Sequence, residues 1–153
     1  MSSEVKTKIE RFCAYQERCQ EEVRQKLASL LVRGREAEAL IADLIANGFL
    51  NEERFARTFA RGKFRMKHWG RRKIEAALRS KKVSPPCIRL GMKEISDIEY
   101  KRQLLKLIEK SQIKTPTDAR KCFRQLQAKG YEPALINDLM RNTGLTDGFS
   151  EGF

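Results

Sequence analysis

The chain has 153 residues, 41% of them hydrophobic and 34% charged, with 32 Lys and Arg against 20 Asp and Glu for a net charge of +12. That length allows one compact core or a few small units in a row, and the high charge suits a helical protein with much surface. Apolar runs are only a few residues long, too short to span a bilayer. The opening Met1-Ser2-Ser3-Glu4 lacks the apolar core of a secretory signal, so a cytoplasmic protein is expected, with no membrane partner.

The excess charge is concentrated. Between Arg54 and Lys82 lie twelve Lys or Arg and a single acid, Glu75, so these 29 residues supply +11 of the +12. The rest of the chain is close to neutral. Such a segment is built to meet something negative, and nucleic acid or an acidic protein groove come first.

Taken in chain order, the elements read as helix throughout, because Val is rare and period-two alternation is absent. Val5 to Tyr15 forms the first helix. Val23, Leu27, Ile41 and Ile45 then mark a pair of amphipathic helices, closed by Asn47-Gly48. Asn51 caps the next helix, Glu52 to Met66, with two acids in its first turn. Ile74, Leu78, Ile88 and Met92 mark a second pair at spacings of 4, 10 and 4, with a helix start at Ser84-Pro85. Ile98 to Lys110 follows. Cys122, Leu126, Ile136 and Met140 repeat the same spacings, between the start signal Thr115-Pro116 and Asn142-Thr143-Gly144, with Lys129-Gly130 closing the penultimate helix. The first pair fits the pattern if four residues are inserted near Leu31 to Gly34. The implied organisation is a three-helix unit repeated about every fifty residues: 1–50, a strongly basic 51–95, and 96–144, with a mobile tail over 145–153.

Within the basic unit, the helical period puts Phe55, Phe59 and Met66 on one face, read as the core stripe. Arg54, Arg57, Arg61 and Arg65 fall on the far side, and Phe64 points towards them. A solvated helix face is the plain alternative, but a face built for stability would mix signs at i,i+4. Arg71, Arg72 and Lys73 occupy the first turn of the next helix, where the macrodipole disfavours cations. The equivalent places in the first unit hold Gln20, Glu21 and Glu22. A basic helix start behind Gly70 therefore reads as an anion site, where free amides and cations converge. Lys67, Arg79, Lys81 and Lys82 complete the candidate surface. Trp69, at the corner, is either a packing residue or a platform on which a base could stack.

Cys13, Cys19, Cys87 and Cys122 form no C-x-x-C pair, and His68 is the single histidine, so neither a disulfide framework nor a metal site is expected. Cys13, Cys87 and Cys122 read as small buried apolar groups.

Gly48-Phe49-Leu50-Asn51-Glu52-Glu53-Arg54-Phe55-Ala56, then Gly70 with Ile74 and Leu78, then a basic stretch ending at Val83, resemble the RecX family of regulatory proteins. Glu22-Val23-Arg24-Gln25-Lys26-Leu27 is similar to that family's first repeat, and Lys129-Gly130-Tyr131 with Ile136 and Met140 to its last. The resemblance implies an all-α fold of three tandem three-helix repeats in an elongated, curved molecule. It implies binding to the RecA recombinase filament on DNA and modulation, usually by inhibition, of filament growth, ATP hydrolysis, strand exchange and co-protease activity. Two positions depart from the family pattern. Lys82 stands where a helix-ending glycine is usual, and Cys19 stands where a Ser or Thr cap is expected.

No phosphate loop, nucleophile elbow or H-E-x-x-H pair is present, so no catalytic residue, enzyme activity or cofactor is expected. The expected partners are the RecA filament and, through the basic middle unit, single-stranded DNA, with the chain acting as a monomer. The competing reading is a helix-turn-helix DNA-binding regulator formed by Arg71 to Glu94. Its second helix offers only Arg89 and Lys93 as base readers, and backbone contacts carry little sequence information.

Overall fold

The computed structural model describes residues 3–142. Among them are nine helices and no strand: α1 Ser3–Tyr15, α2 Gln20–Ser29, α3 Gly34–Ala46, α4 Glu52–Lys67, α5 Arg71–Ser80, α6 Pro85–Met92, α7 Asp97–Lys110, α8 Pro116–Ala128 and α9 Pro133–Asn142. The tail expected over 145–153 lies outside the described residues.

The helix starts are set by local chemistry. The Asn51 side-chain oxygen accepts from the Arg54 amide at 2.8 Å, Ser96 Oγ from Glu99 at 3.1 Å, and Thr115 Oγ1 from Asp118 at 3.1 Å. Each satisfies an amide that the first turn leaves without an intrahelical acceptor. Asp118 returns a bond from the Thr115 amide at 3.2 Å, completing a capping box. Cys19 begins α2 differently. Its amide donates to Glu22 at 3.0 Å, while its thiol is buried and lies 3.9 Å from the Lys81 carbonyl oxygen. A polar cap side chain is thus replaced by an apolar one that packs.

The helix ends carry the internal repetition most plainly. After α2, α5 and α8 the chain turns through Leu31 (φ 65°), Lys82 (φ 61°) and Gly130 (φ 103°). The residues that follow, Val32, Val83 and Tyr131, are buried and donate to the carbonyls of Leu27, Leu78 and Leu126 at 2.8, 3.1 and 3.1 Å. This is the same C-terminal closure three times. Lys82 keeps the turn that glycine would make, at a cost of about 1 kcal/mol for a side chain in the left-handed region.

The repetition also corrects the expected register in the first unit. Ala37 and Ile41 are buried, whereas Ile45 is 45% exposed. Val23, Leu27, Ala37 and Ile41 therefore keep the spacings 4, 10 and 4, and no four-residue insertion is needed. The small Ala37, not the larger Ile45, faces the core.

The contacts divide the chain into two compact units, Met1–Phe59 with Ala77–Lys93, and Ala60–Ala76 with Glu94–Phe153. The first has a core around Ile9, Val23, Leu27, Ile41, Leu44 and Leu50. There Gly91 of α6 lies so close to α4 that an added Cβ would stand 2.7 Å from the Ala56 carbonyl oxygen. The second is centred on Tyr100, Leu104, Ile108, Leu126, Ile136 and Met140, all but Leu126 with no exposed surface. Burial of each such side chain contributes about 1.5–3 kcal/mol.

Two expectations about α4 are overturned. Phe64 is 4% exposed and Met66 is 79% exposed, the reverse of the predicted faces. The buried line runs Ala56, Ala60, Phe64, an i+4 ridge whose two alanines permit close packing. Among the cysteines, Cys13, Cys19 and Cys122 are buried, but Cys87 is only half-buried, because it follows the two prolines at the exposed start of α6.

Candidate binding surface

The α4 arginines do not stand as an unbalanced row. In the first unit, Arg54 Nε lies 2.6 Å from Glu17 and Arg57 Nε 2.9 Å from Glu53. In the second, Arg61 lies 2.5 Å from Glu94 and Arg65 3.9 Å from Glu99. Glu17, Glu94 and Glu99 come from distant parts of the sequence, so the expectation of bare repulsion along this face is corrected. Partly exposed pairs of this kind contribute only about 0–1 kcal/mol. The arginines can exchange such partners for a ligand anion at small cost.

The start of α5 is the second correction. The Gly70 amide donates to the Lys129 carbonyl at 2.8 Å and the Arg72 amide to the Gly130 carbonyl at 3.0 Å. The Arg71 amide donates to the Tyr100 hydroxyl at 2.9 Å. These early donors are already used, so the amides do not form the open anion cradle expected behind Gly70. The Tyr100 hydroxyl in turn donates to Glu132. Burial first, and then that bond, push the Tyr100 phenol well above its usual range. Negative charge at Glu132 therefore faces the helix start through the phenol, and it also lies 3.9 Å from Arg71 Nη1. This arrangement offsets the unfavourable dipole of three bases in one first turn.

Arg71 is held from several sides. Its guanidinium lies 2.6 Å from Asp97 and 4.0 Å above the Tyr100 ring. Arg72 and Lys73 are different. Both are exposed, and among the described residues no carboxylate lies within 4.0 Å of either side chain. Lys67 is exposed as well, while its carbonyl accepts from Lys129 Nζ at 3.3 Å. In the first unit, Lys81 pairs with Glu22 at 3.2 Å and Lys82 with Glu21 at 3.5 Å, and Arg79 is exposed.

The two aromatic candidates separate. Phe64 packs against Tyr100 at 5.9 Å, and Tyr100 against Tyr131 at 5.1 Å, so Phe64 is core and presents no ring to a base. Trp69 is half-buried, with the ammonium groups of Lys63 and Lys73 at 4.9 and 4.6 Å from its ring centroid. The ring anchors cations. Sequence reasoning missed Tyr100, Lys129, Tyr131 and Glu132, the residues that hold the basic corner from the C-terminal side. They lie some thirty to sixty positions from the groups they touch, and nothing in local spacing announces them.

Among the described residues no group of three or more His, Cys, Asp or Glu side chains is placed to hold a metal ion, and no helix is long and apolar enough to cross a membrane.

Fold and surface together define an all-helical protein of repeated three-helix modules with a basic α4–α5 corner. Residues 51–92 match the family model of the second three-helix domain of RecX. It is similar to the crystal structure of RecX from Lactobacillus salivarius, with a TM-score of 0.82 and 21% identity, over 94% of this chain and 96% of that one. It is also similar to the crystal structure of regulatory protein RecX, with a TM-score of 0.81 and 15% identity, over 91% of this chain and 72% of that one. At these identities the likeness is one of fold. No curated protein sequence matches significantly.

Proposed function

We propose that this protein binds the RecA recombinase filament on DNA and inhibits its recombinase, ATPase and co-protease activities, thereby regulating DNA repair and recombination. The observation that carries the reading is a coincidence of position. The segment that supplies +11 of the net charge, 54–82, falls inside the segment that matches the second RecX domain, 51–92. A filament wound on DNA offers the anionic groove such a surface suits. The contacting residues in this reading come from the basic repeat expected over 51–95. Exposed Lys67, Arg72 and Lys73 meet the target first, and Arg61, Arg65 and Arg71 exchange intramolecular carboxylates for it. Action is by occupancy of the filament, as a monomer, with no chemical step and no cofactor.

The test is RecA ATPase on single-stranded DNA with increasing amounts of this protein. Inhibition should track filament occupancy and reverse when the protein is competed away. An unchanged ATPase rate at saturating protein would refute the reading, as would inactivation that persists after its removal.

A further inference from the structure

A second cationic surface lies outside the 54–82 segment, in the first unit. Lys8, Arg11, Phe12 and Tyr15 follow one another at i, i+3, i+4 and i+7 on α1, which puts them on one stripe of the helix. With Arg18, from the turn after α1, and Lys26 of α2 they line an open cavity of about 390 Å³. Its floor is aromatic. The Arg18 guanidinium sits 3.7 Å above the Phe12 ring and is fixed there by a 3.0 Å bond from its Nε to the Phe12 carbonyl oxygen. The Lys26 ammonium lies 5.7 Å from the same ring. Tyr15 stands at the rim with 82% of its surface exposed.

Core packing explains the half-buried Phe12, which abuts the Ile9 and Leu27 cluster. It does not explain Tyr15. An aromatic ring exposed on a helix contributes little to the fold, and it is flanked by four cations. Lys8 pairs with exposed Glu4 at 3.3 Å. Among the described residues no carboxylate lies within 4.0 Å of Arg11, Arg18 or Lys26. The arginines of α4 have acids supplied by the fold; these three do not.

We infer that this cavity binds one nucleotide of a single-stranded nucleic acid, with the base stacked on Tyr15 and the adjoining phosphate held by Arg11 and Lys26. The chemistry favours that ligand over an acidic peptide. Carboxylates need only the cations, whereas a flat exposed ring beside unpaired cations matches a π-face joined to a phosphate. Arg18, pinned flat on Phe12, keeps one of those cations in place without further loss of side-chain freedom. The inference stands apart from the filament reading, since it concerns different residues and a different unit.

The test uses the full chain and no recombinase. Binding of a fluorescein-labelled four-nucleotide oligothymidylate is followed by anisotropy at low salt, for the wild type, Tyr15→Ala, Tyr15→Phe and Arg11→Ala/Lys26→Ala. Tyr15→Ala should weaken binding roughly tenfold, as expected for loss of one base–aromatic stack. Tyr15→Phe should restore it, and Arg11→Ala/Lys26→Ala should weaken it and flatten its salt dependence. An oligonucleotide carrying 5-iodouracil should crosslink to Tyr15. Unchanged affinity in Tyr15→Ala, or crosslinks confined to α4 and α5, would overturn the inference. So would oligoglutamate that displaces the oligonucleotide while being indifferent to Tyr15→Ala, because the cavity would then be a peptide site.

Discussion

The Gly70 amide donates to the Lys129 carbonyl oxygen across 2.8 Å, and the two chain segments meet so closely that a Cβ on Gly70 would stand 2.3 Å from Gly130 C and Tyr131 N. Around this contact the Tyr131 hydroxyl donates to the His68 carbonyl at 2.9 Å and Lys129 Nζ to the Lys67 carbonyl at 3.3 Å. The basic corner between α4 and α5 is therefore seated on the α8–α9 turn. Its geometry depends on residues that carry none of its excess charge.

Gly70→Ala should destabilise the protein by about 2–3 kcal/mol, since backbone rather than a movable side chain occupies the space. Gly62→Ala is the control. It lies within α4, its added Cβ meets nothing within 4 Å, and it should add about 0.5–1 kcal/mol of stability. Urea denaturation measures both. Equal effects would contradict the close approach at Gly70.

Tyr100→Phe keeps the stacked ring but removes the hydroxyl that accepts from the Arg71 amide and donates to Glu132. Leaving those groups unpaired should cost about 1–3 kcal/mol. Amide exchange at Arg71 should rise more than exchange at Leu78 in the same helix.

Acid sensitivity should pass partly through Glu22. Burial raises its pKa, but the Cys19 amide and Lys81 outweigh burial and hold the carboxyl below its ordinary value. A depressed folded pKa gives stability that is present above the unfolded value, near 4.5, and is lost as pH falls through the folded one. Glu22→Gln should cost about 1 kcal/mol at neutral pH, the scale of a lost cap. Its stability should also fall less steeply than that of the wild type below about pH 4.5, read from melting temperature against pH. Glu52 works in the opposite sense, because burial raises its pKa and protonation favours the folded form.

Thiol reactivity should rank the cysteines by burial. Desolvation pushes Cys13 and Cys19 up to about 11 and raises Cys122, whereas Cys87 is half-buried at the start of α6. Iodoacetamide at pH 8 should modify Cys87 first, with the other three limited by opening of the fold. Peptide mapping at partial labelling decides it.

Within the proposed filament surface, Arg72→Ala/Lys73→Ala should weaken inhibition of RecA while costing only about 0.5–1 kcal/mol of stability, from the lost Lys73–Trp69 contact, since no described carboxylate is left unpaired by the change. If their targets are single-strand phosphates, the slope of log K against log salt should shrink by about 0.7 per lost contact. If they are protein carboxylates, naked-DNA binding should be unchanged while filament binding falls. Unchanged inhibition would remove these two residues from the surface.

Local sequence was enough to place the helices and most of their caps. Asn51, Ser84 and Thr115 act within three residues of themselves, and the spacings of Ile74, Leu78 and Ile88 reflect a period inherent to the helix. The concentration of charge on α4 and α5 was equally plain, because it is a count along the chain. What local sequence could not decide was which side of α4 the rest of the molecule would cover. The periodicity groups residues into faces, but the face that is buried is the one a neighbour can approach. Ala56 and Ala60 permit that approach, so the ridge they share with Phe64 turned inwards and Met66 was left outside. In the same way, Glu17, Glu94 and Asp97 became partners of Arg54, Arg61 and Arg71 only through tertiary packing, across 26 to 37 positions in the chain. Charge is a property of the sequence; its compensation, and the closing of the α5 amides by Tyr100, Lys129 and Gly130, are properties of distance, which only the folded chain sets.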